Sequence, residues 1–178
     1  MSLIIEDNFT HPLVNHTPDI GGAWQDAGGG AGYLQGVQPN DTFHVNDAVF
    51  PSPDYTVTLD IACIGQPPGT MIYAIGRWNG DDTGPYYAAV VSIASNGKKL
   101  SLIKVIGAQQ TDLAEAVLND NPQTLILTFA GSDITADCGE AQVSVTDSSI
   151  TAAGKAGFYG NGNADPRNGI RIIKMTAG

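Results

Sequence analysis

Positive charge is scarce in this chain. Eight Lys and Arg stand against 18 Asp and Glu, a net charge of −10 over 178 residues. Phosphate binding needs clustered cations, so the balance argues against nucleic acid as a partner. It argues equally against an anionic membrane surface. Long apolar runs are also missing, and none approaches the roughly 18 continuous apolar residues that a membrane-spanning helix needs. The first nine residues have neither a basic start nor an apolar segment, so no secretory signal is expected. Glu occurs only at Glu6, Glu115 and Glu140, whereas exposed helix surfaces draw heavily on Glu, Lys, Leu and Ala. The two cysteines, Cys63 and Cys138, are too few for a disulfide scaffold, and no CxxC spacing or neighbouring His makes a zinc site. Cys63 lies in an apolar run and reads as a small buried hydrophobe, and Cys138 precedes Gly139 in a turn. A single bridge between them stays open, and with it the redox compartment.

What is abundant is of another kind. The chain holds 22 Gly and 10 Pro, and Val, Ile and Thr make up nearly a quarter of it. Turn formers and β-branched residues in these amounts indicate an all-β domain. A chain of this length buries about two-thirds of its unfolded surface, enough for a core of its own. Residues 1–178 contain no internal repeat, low-complexity tract or convincing linker, and are expected to form a single domain.

Period-two alternation recurs along the chain. In Tyr55-Thr56-Val57-Thr58-Leu59-Asp60-Ile61 the odd positions are apolar and the even ones polar, so one face is buried and the other wet. Gln142–Thr146 repeats the pattern. Continuous apolar runs at Met71–Ile75, Ala88–Ile93 and Leu125–Phe129 read as strands that are central or buried on both faces. Further strands are expected near residues 4–7, 33–37, 42–45, 100–106, 133–136, 156–159 and 170–175. The segment Asp112–Asn119 fits a short helix or a strand equally. Turn composition falls between these elements: Asn79–Pro85, Asp137–Glu140, Asn161–Pro166, and Ser95-Asn96-Gly97-Lys98, where Asn-Gly suits a type I′ hairpin turn. About a dozen short strands with no βαβ alternation predict a sandwich or barrel with more than about 40 % strand and Asn96-Gly97 at a hairpin tip.

Asp7-Asn8-Phe9, followed by His16-Thr17-Pro18-Asp19-Ile20-Gly21-Gly22-Ala23-Trp24, resembles the opening of the concanavalin A-like lectin/glucanase, or laminin-G-like, jelly-roll group. The resemblance continues through Tyr55–Asp60 and Tyr86–Val90. It ends with Val145-Thr146-Asp147-Ser148 and Gly154-Lys155-Ala156-Gly157-Phe158-Tyr159, similar to that group's finish before its closing strand. Nearly the whole chain is covered. The resemblance implies a two-sheet antiparallel jelly-roll sandwich, of a kind frequent in bacterial surface proteins and in tailed-phage virion proteins. Independently, Pro18 stiffens the approach, Gly21-Gly22 permit close passage beneath a sheet, and Trp24 supplies a large apolar anchor. Inward positions are expected at Trp24, Val57, Leu59, Ile61, Ile126, Val143, Val145 and Phe158.

Catalytic chemistry finds little support. Glucanases of the resembling group carry Glu-x-Asp-x-x-Glu on one strand, and retaining hydrolysis needs two carboxyls about 5–5.5 Å apart. That motif is absent. No Ser lies in a Gly-x-Ser-x-Gly elbow. His11 and His16 flank Pro12 in an N-terminal loop, His44 falls in a strand, and all three read as structural. Gly28–Gly32 lacks the context of a phosphate cradle. The adjacent Asp81 and Asp82 read as solvated loop carboxylates, with a Ca2+ ligand pair as the sharper alternative. No cofactor is otherwise implied.

Sugar recognition is harder to set aside, because such sites combine an aromatic face with a few orienting polar groups. Arg77, Trp78 and Asn79 lead into the loop that holds Asp81 and Asp82, and Tyr86 and Tyr87 lead out of it. These seven residues form the predicted ligand-binding set. Trp78 reads either as core or as a surface platform, and one of Tyr86 and Tyr87 is expected inside with the other exposed. Asn161, Asn163 and Arg167 make a second polar loop. The expected function is a non-catalytic structural and recognition module, and the resemblance to the jelly-roll group implies a phage virion component such as a capsid decoration or tail appendage. Its partners would be other virion proteins or further copies of itself, with loop contact to cell-surface glycan. A secreted or cell-surface carbohydrate-binding module is the first alternative, and a glycan hydrolase with an atypical carboxylate pair is the second.

Overall fold

A computed structural model describes residues 5–7, 16–20, 24–26, 34–36, 42–63, 68–161 and 170–178. His11, Gly28–Gly32, Asn163 and Arg167, and the side chains of His16, Trp24, Cys63 and Asn161, lie outside the described residues. Within them there are strands and no helix: β1 (Ile5–Asp7), β2 (His16–Ile20), β3 (Trp24–Asp26), β4 (Leu34–Gly36), β5 (Thr42–Asn46), β6 (Thr56–Cys63), β7 (Thr70–Trp78), β8 (Tyr86–Ala94), β9 (Gly97–Ile106), β10 (Gln109–Leu118), β11 (Thr124–Ala130), β12 (Asp133–Asp137), β13 (Gln142–Thr146), β14 (Lys155–Asn161) and β15 (Ile170–Ala177). Asp112–Asn119, which by sequence fits helix and strand alike, falls largely within strand β10.

One sheet has eight strands in the order β13-β12-β11-β6-β15-β4-β3, with β1 paired to β15 beside that path. The other has seven, in the order β10-β9-β8-β7-β14-β5-β2. Strand pairs among the described residues are all antiparallel. The chain crosses repeatedly between the sheets, at β5–β6, β6–β7, β10–β11, β13–β14 and β14–β15, as in a jelly-roll sandwich.

Alternation in β6 is realised as read. Val57, Leu59 and Ile61 are buried between the sheets, while Thr56, Thr58 and Asp60 face out. They meet Leu125, Leu127 and Phe129 of β11 and, across the sandwich, Ile72, Leu100, Leu102 and Phe158. Each such side chain contributes about 1.5–3 kcal/mol on full burial. The β11 run is not buried on both faces: Ile126, expected inward, points outward opposite Thr58 because the outer side of the eight-stranded sheet is wet. Hydroxyl pairs mark that wet side, with Thr56 and Thr128 oxygens 3.3 Å apart and Thr135 and Ser144 oxygens 3.1 Å apart. Val143 and Val145, also expected inside, are only half-buried because β13 is an edge strand packed against the margin of the core.

The runs in β7 and β8 are buried on both faces, as read. Their second side joins Val45, Tyr73, Ile75, Trp78, Tyr86, Val105 and Tyr159 in another apolar layer, outside the sandwich core. The β8–β9 hairpin forms at the expected place, one residue out of the expected register. Ala94 pairs with Gly97, so Ser95-Asn96 are the turn centre and Gly97 (φ 140°) opens the next strand. The hairpin with positive φ at both central residues is instead Gly107-Ala108, between β9 and β10. Cys138 is a buried free thiol in the β12–β13 connection, so the bridge to Cys63 is not formed.

Candidate functional site

The expected binding segment begins with an irregularity in β7. Trp78 pairs with Lys155 and Ile75 with Gly157, so Gly76 and Arg77 together oppose the single residue Ala156. A bulge of this kind shifts the side-chain phase of everything beyond it. Trp78 consequently lies on the outer side with Tyr73 and Ile75, while Arg77 (φ 49°) turns inward. Gly157 makes room for this arrangement, since a Cβ there would stand 2.2 Å from the His44 carbonyl oxygen and 2.8 Å from the Trp78 ring. The Gly154-x-x-Gly157 spacing in the sequence therefore has a packing cause.

Arg77 is 2 % exposed and collects three loop carbonyls. Its Nε donates to Pro53 at 3.1 Å, Nη1 to Ile150 at 2.9 Å and Nη2 to Gly131 at 2.7 Å. The guanidinium lies 4.6 Å from the Phe129 ring centre, with an Asp54 carboxylate oxygen 3.7 Å from Nη2. Its backbone N–H donates to the Tyr55 hydroxyl, which donates onward to the Ala153 carbonyl at 3.0 Å. Burial pushes the Tyr55 phenol well above its ordinary pKa, so it stays protonated.

Trp78 is fully buried and donates its indole N–H to the Asp81 carbonyl at 2.7 Å. Its ring meets Phe43 at 5.6 Å and Tyr86 at 5.8 Å, and the aromatic layer continues through Tyr159 to Tyr73. The polar groups of the following loop are largely satisfied within it. Asn79 Nδ2 donates to the Gly84 carbonyl at 2.8 Å, and Asp81 Oδ1 accepts from the Thr83 N–H at 2.9 Å and hydroxyl at 2.7 Å. The Thr83 N–H and then its hydroxyl hold the exposed Asp81 carboxyl below the usual range.

Of the seven predicted contact residues, Asn79, Asp81 and Asp82 are therefore exposed, whereas Arg77, Trp78, Tyr86 and Tyr87 are buried. The platform reading of Trp78 and the expected exposure of one tyrosine are both corrected. Alternation does send Tyr86 and Tyr87 to opposite faces of β8, but both faces are covered.

Tyr87 reaches a polar clasp at one end of the sandwich. Its hydroxyl donates to Asp147 Oδ1 at 2.6 Å and accepts the Ile150 N–H at 3.2 Å. Lys104 Nζ donates to Asp147 Oδ2 at 2.6 Å and to Ser149 Oγ at 2.9 Å. Burial pushes the Asp147 carboxyl up, but the donors from Lys104, Ser149 and Tyr87 outweigh it and hold it far below its ordinary 3.8. Burial, with the Asp147 hydrogen bond second, pushes the Tyr87 phenol up to about 12. A depressed carboxyl pKa gives stability that is complete above pH about 4 and is lost as pH falls from there. Asp147→Asn is expected to melt on the order of 5 °C below the unmodified protein at pH 7. That gap should close on acidification below pH 4, and a gap constant from pH 7 to pH 3 would refute the clasp.

The three Glu serve separate local structures. Glu6 pairs with Lys174 at 2.8 Å and Glu115 with Lys99 at 3.0 Å, while Glu140 accepts the N–H groups of Asn119 and Asp120. Sequence reading did not single out Phe43, Tyr73, Tyr159 or Lys104 as parts of these constellations. The aromatic residue in each of β5, β7 and β14 was the available signal for the first three, whereas nothing local marks Lys104.

No family model matches the chain, and no curated protein does. Solved structures do resemble it. One is the CBM2 module of the evolved Dit of Lactobacillus casei BL23 phage J-1, at TM-score 0.67 and 12 % identity, covering 98 % of this chain and 94 % of that one. Carbohydrate-binding module CBM66 from Bacillus subtilis gives 0.62 and 21 %, over 93 % and 94 %. A legume lectin-like domain from Entamoeba histolytica gives 0.63 and 14 %, over 92 % and 89 %. The fold is accordingly a concanavalin A-like jelly-roll sandwich.

Proposed function

We propose that this chain is a non-catalytic glycan-recognition module carried on a tailed-phage virion, as a capsid decoration or tail appendage. The observation that carries the reading is likeness over nearly the full length of both chains to a carbohydrate-binding module of a phage protein. The opening and closing segments resemble those of the concanavalin A-like group, whose jelly-roll domains are frequent in tailed-phage virion proteins as well as in bacterial surface proteins, which is compatible with this reading. Attachment is to other virion proteins or to further copies of the chain, with glycan contacted from an exposed surface and no resident cofactor. The separate engagement of Glu6, Glu115 and Glu140 supports a binding rather than a hydrolytic role.

A secreted or cell-surface carbohydrate-binding module is the second reading, favoured by the likeness to CBM66. Two measurements test the proposal. Purified protein should bind members of a panel of bacterial cell-wall polysaccharides and β-glucans while releasing no reducing ends above a blank. Mass spectrometry of purified virions from the host culture should contain the chain. Sugar release abolished by Asp81→Ala or Asp82→Ala would replace the proposal with the hydrolase alternative. Recovery from the culture supernatant, with none in virions, would favour the second reading.

A further inference from the structure

Where a sugar would sit is left open by the buried aromatics around Trp78. A sizeable cavity lies elsewhere, on the wet side of the eight-stranded sheet. It is a groove of about 670 Å3 bounded by Asp60, Asn121, Pro122, Gln123, Thr124 and Ile173. We propose that this groove is a saccharide-binding site for a neutral sugar, with Asp60, Asn121 and Gln123 as its orienting groups. The inference rests on the glycan-recognition reading above and names its site.

The groove is built by backbone irregularity as well as by side chains. Asp60 of β6 lies between Thr124 of β11 and Lys174 of β15, its partners on either side. The β6–β15 register shifts between Ile172 and Lys174, which leaves Ile173 as the extra residue of a bulge. Ile173 is 42 % exposed, a large aliphatic side chain held out on an otherwise hydroxyl-rich surface. Bulges commonly re-aim a side chain beside a site. The opposite wall, Asn121-Pro122-Gln123, is the connection from β10 to β11, pinned by the Gln123 carbonyl accepting the Ile61 N–H at 2.8 Å.

The chemistry matches a sugar ring. Among the described residues the Asn121 and Gln123 amides make no intramolecular hydrogen bond, unlike the satisfied polar groups of the Asn79–Thr83 loop. Each amide offers donors and an acceptor, and the Asp60 carboxylate accepts two further bonds, a combination that suits vicinal hydroxyls. The exposed Ile173 side chain supplies apolar contact for the C–H face of the ring, while Pro122, itself buried, backs the opposite wall. The volume lies in the range that small-molecule sites occupy. Asp60 is the one carboxylate among the residues lining the groove, and Lys174, ion-paired with Glu6, stands beside it across the strand pair, so there is no carboxylate cluster to select cations. With aliphatic contact in place of an aromatic platform, single sugars should bind weakly, with dissociation constants of about 1 mM.

The test uses the full chain, isotopically labelled, titrated with the methyl glycosides of glucose, galactose, mannose and N-acetylglucosamine and with the best-binding polysaccharide from the panel. Amide shifts should move at Asp60, Asn121, Gln123, Thr124 and Ile173. Asp60→Asn and Gln123→Ala, both melting close to the unmodified protein, should each weaken binding about tenfold. If a polysaccharide binds while these variants bind it normally, and the shifts fall at Asn79, Asp81 and Asp82, the groove is overturned and glycan recognition stands. If neither the glycosides nor any polysaccharide binds, glycan recognition itself fails and the groove fails with it.

Discussion

Replacing Arg77 by Ala is expected to lower the unfolding free energy by about 3–5 kcal/mol, the sum of three carbonyls losing a donor with some of them rehydrated. For a chain of this size that corresponds to a melting temperature lower by roughly 10 °C. The guanidinium ties together the segment before β6, the β11–β12 turn and the β13–β14 connection through Pro53, Gly131 and Ile150. Its nearest carboxylate, on Asp54, is 47 % exposed and 3.7 Å away, so charge pairing is the minor part. Arg77→Lys should recover little, because a single ammonium cannot span three carbonyls presented to a planar fork. Thermal unfolding of the two variants checks this. An Arg77→Lys protein that melts with the unmodified one would show that charge, rather than the fork, is what matters.

Trp78→Ala should cost a similar amount, about 3–5 kcal/mol. The fully buried indole would leave a cavity against Phe43 and Tyr86 and an Asp81 carbonyl without its donor. Trp78→Phe should lose less, since most apolar contact is retained and only the N–H is removed. The double variant Asp81→Ala, Asp82→Ala changes exposed groups and should melt close to the unmodified protein. Melting and polysaccharide binding measured on the same samples separate support from contact. A Trp78→Ala protein of nearly normal stability that has lost binding would restore the indole as a sugar platform and rule out packing as its role.

Much of the architecture was legible in the residues. The alternation from Tyr55 to Ile61 and the double-faced apolar runs in β7 and β8 became strands of the expected kind. The polar and aromatic density between Arg77 and Tyr87 was also legible, as was the glycine spacing at 154 and 157. Which of those aromatics water can reach was not. Ile126 and Tyr86 show why: an apolar side chain in a strand declares that it can be buried, while its actual exposure depends on what covers that face of the sheet. The Asp60 groove is not legible in the sequence, because its walls come from β6, β15 and the β10–β11 connection, and none carries a local motif.

Period and turn chemistry are properties of adjacent residues, so the sequence by itself determined an all-β chain, the places of most strands and the dry or wet tendency of each position. The assignment of Trp78 and Arg77 to opposite faces required tertiary structure. Regular alternation would put Arg77 beside Tyr73 and Ile75, but Gly76 and Arg77 share one partner, Ala156, on a strand far along the chain. Nothing adjacent to Arg77 encodes that count. A bulge exists only between two paired strands, so the face that each residue beyond it presents is decided when the pair forms.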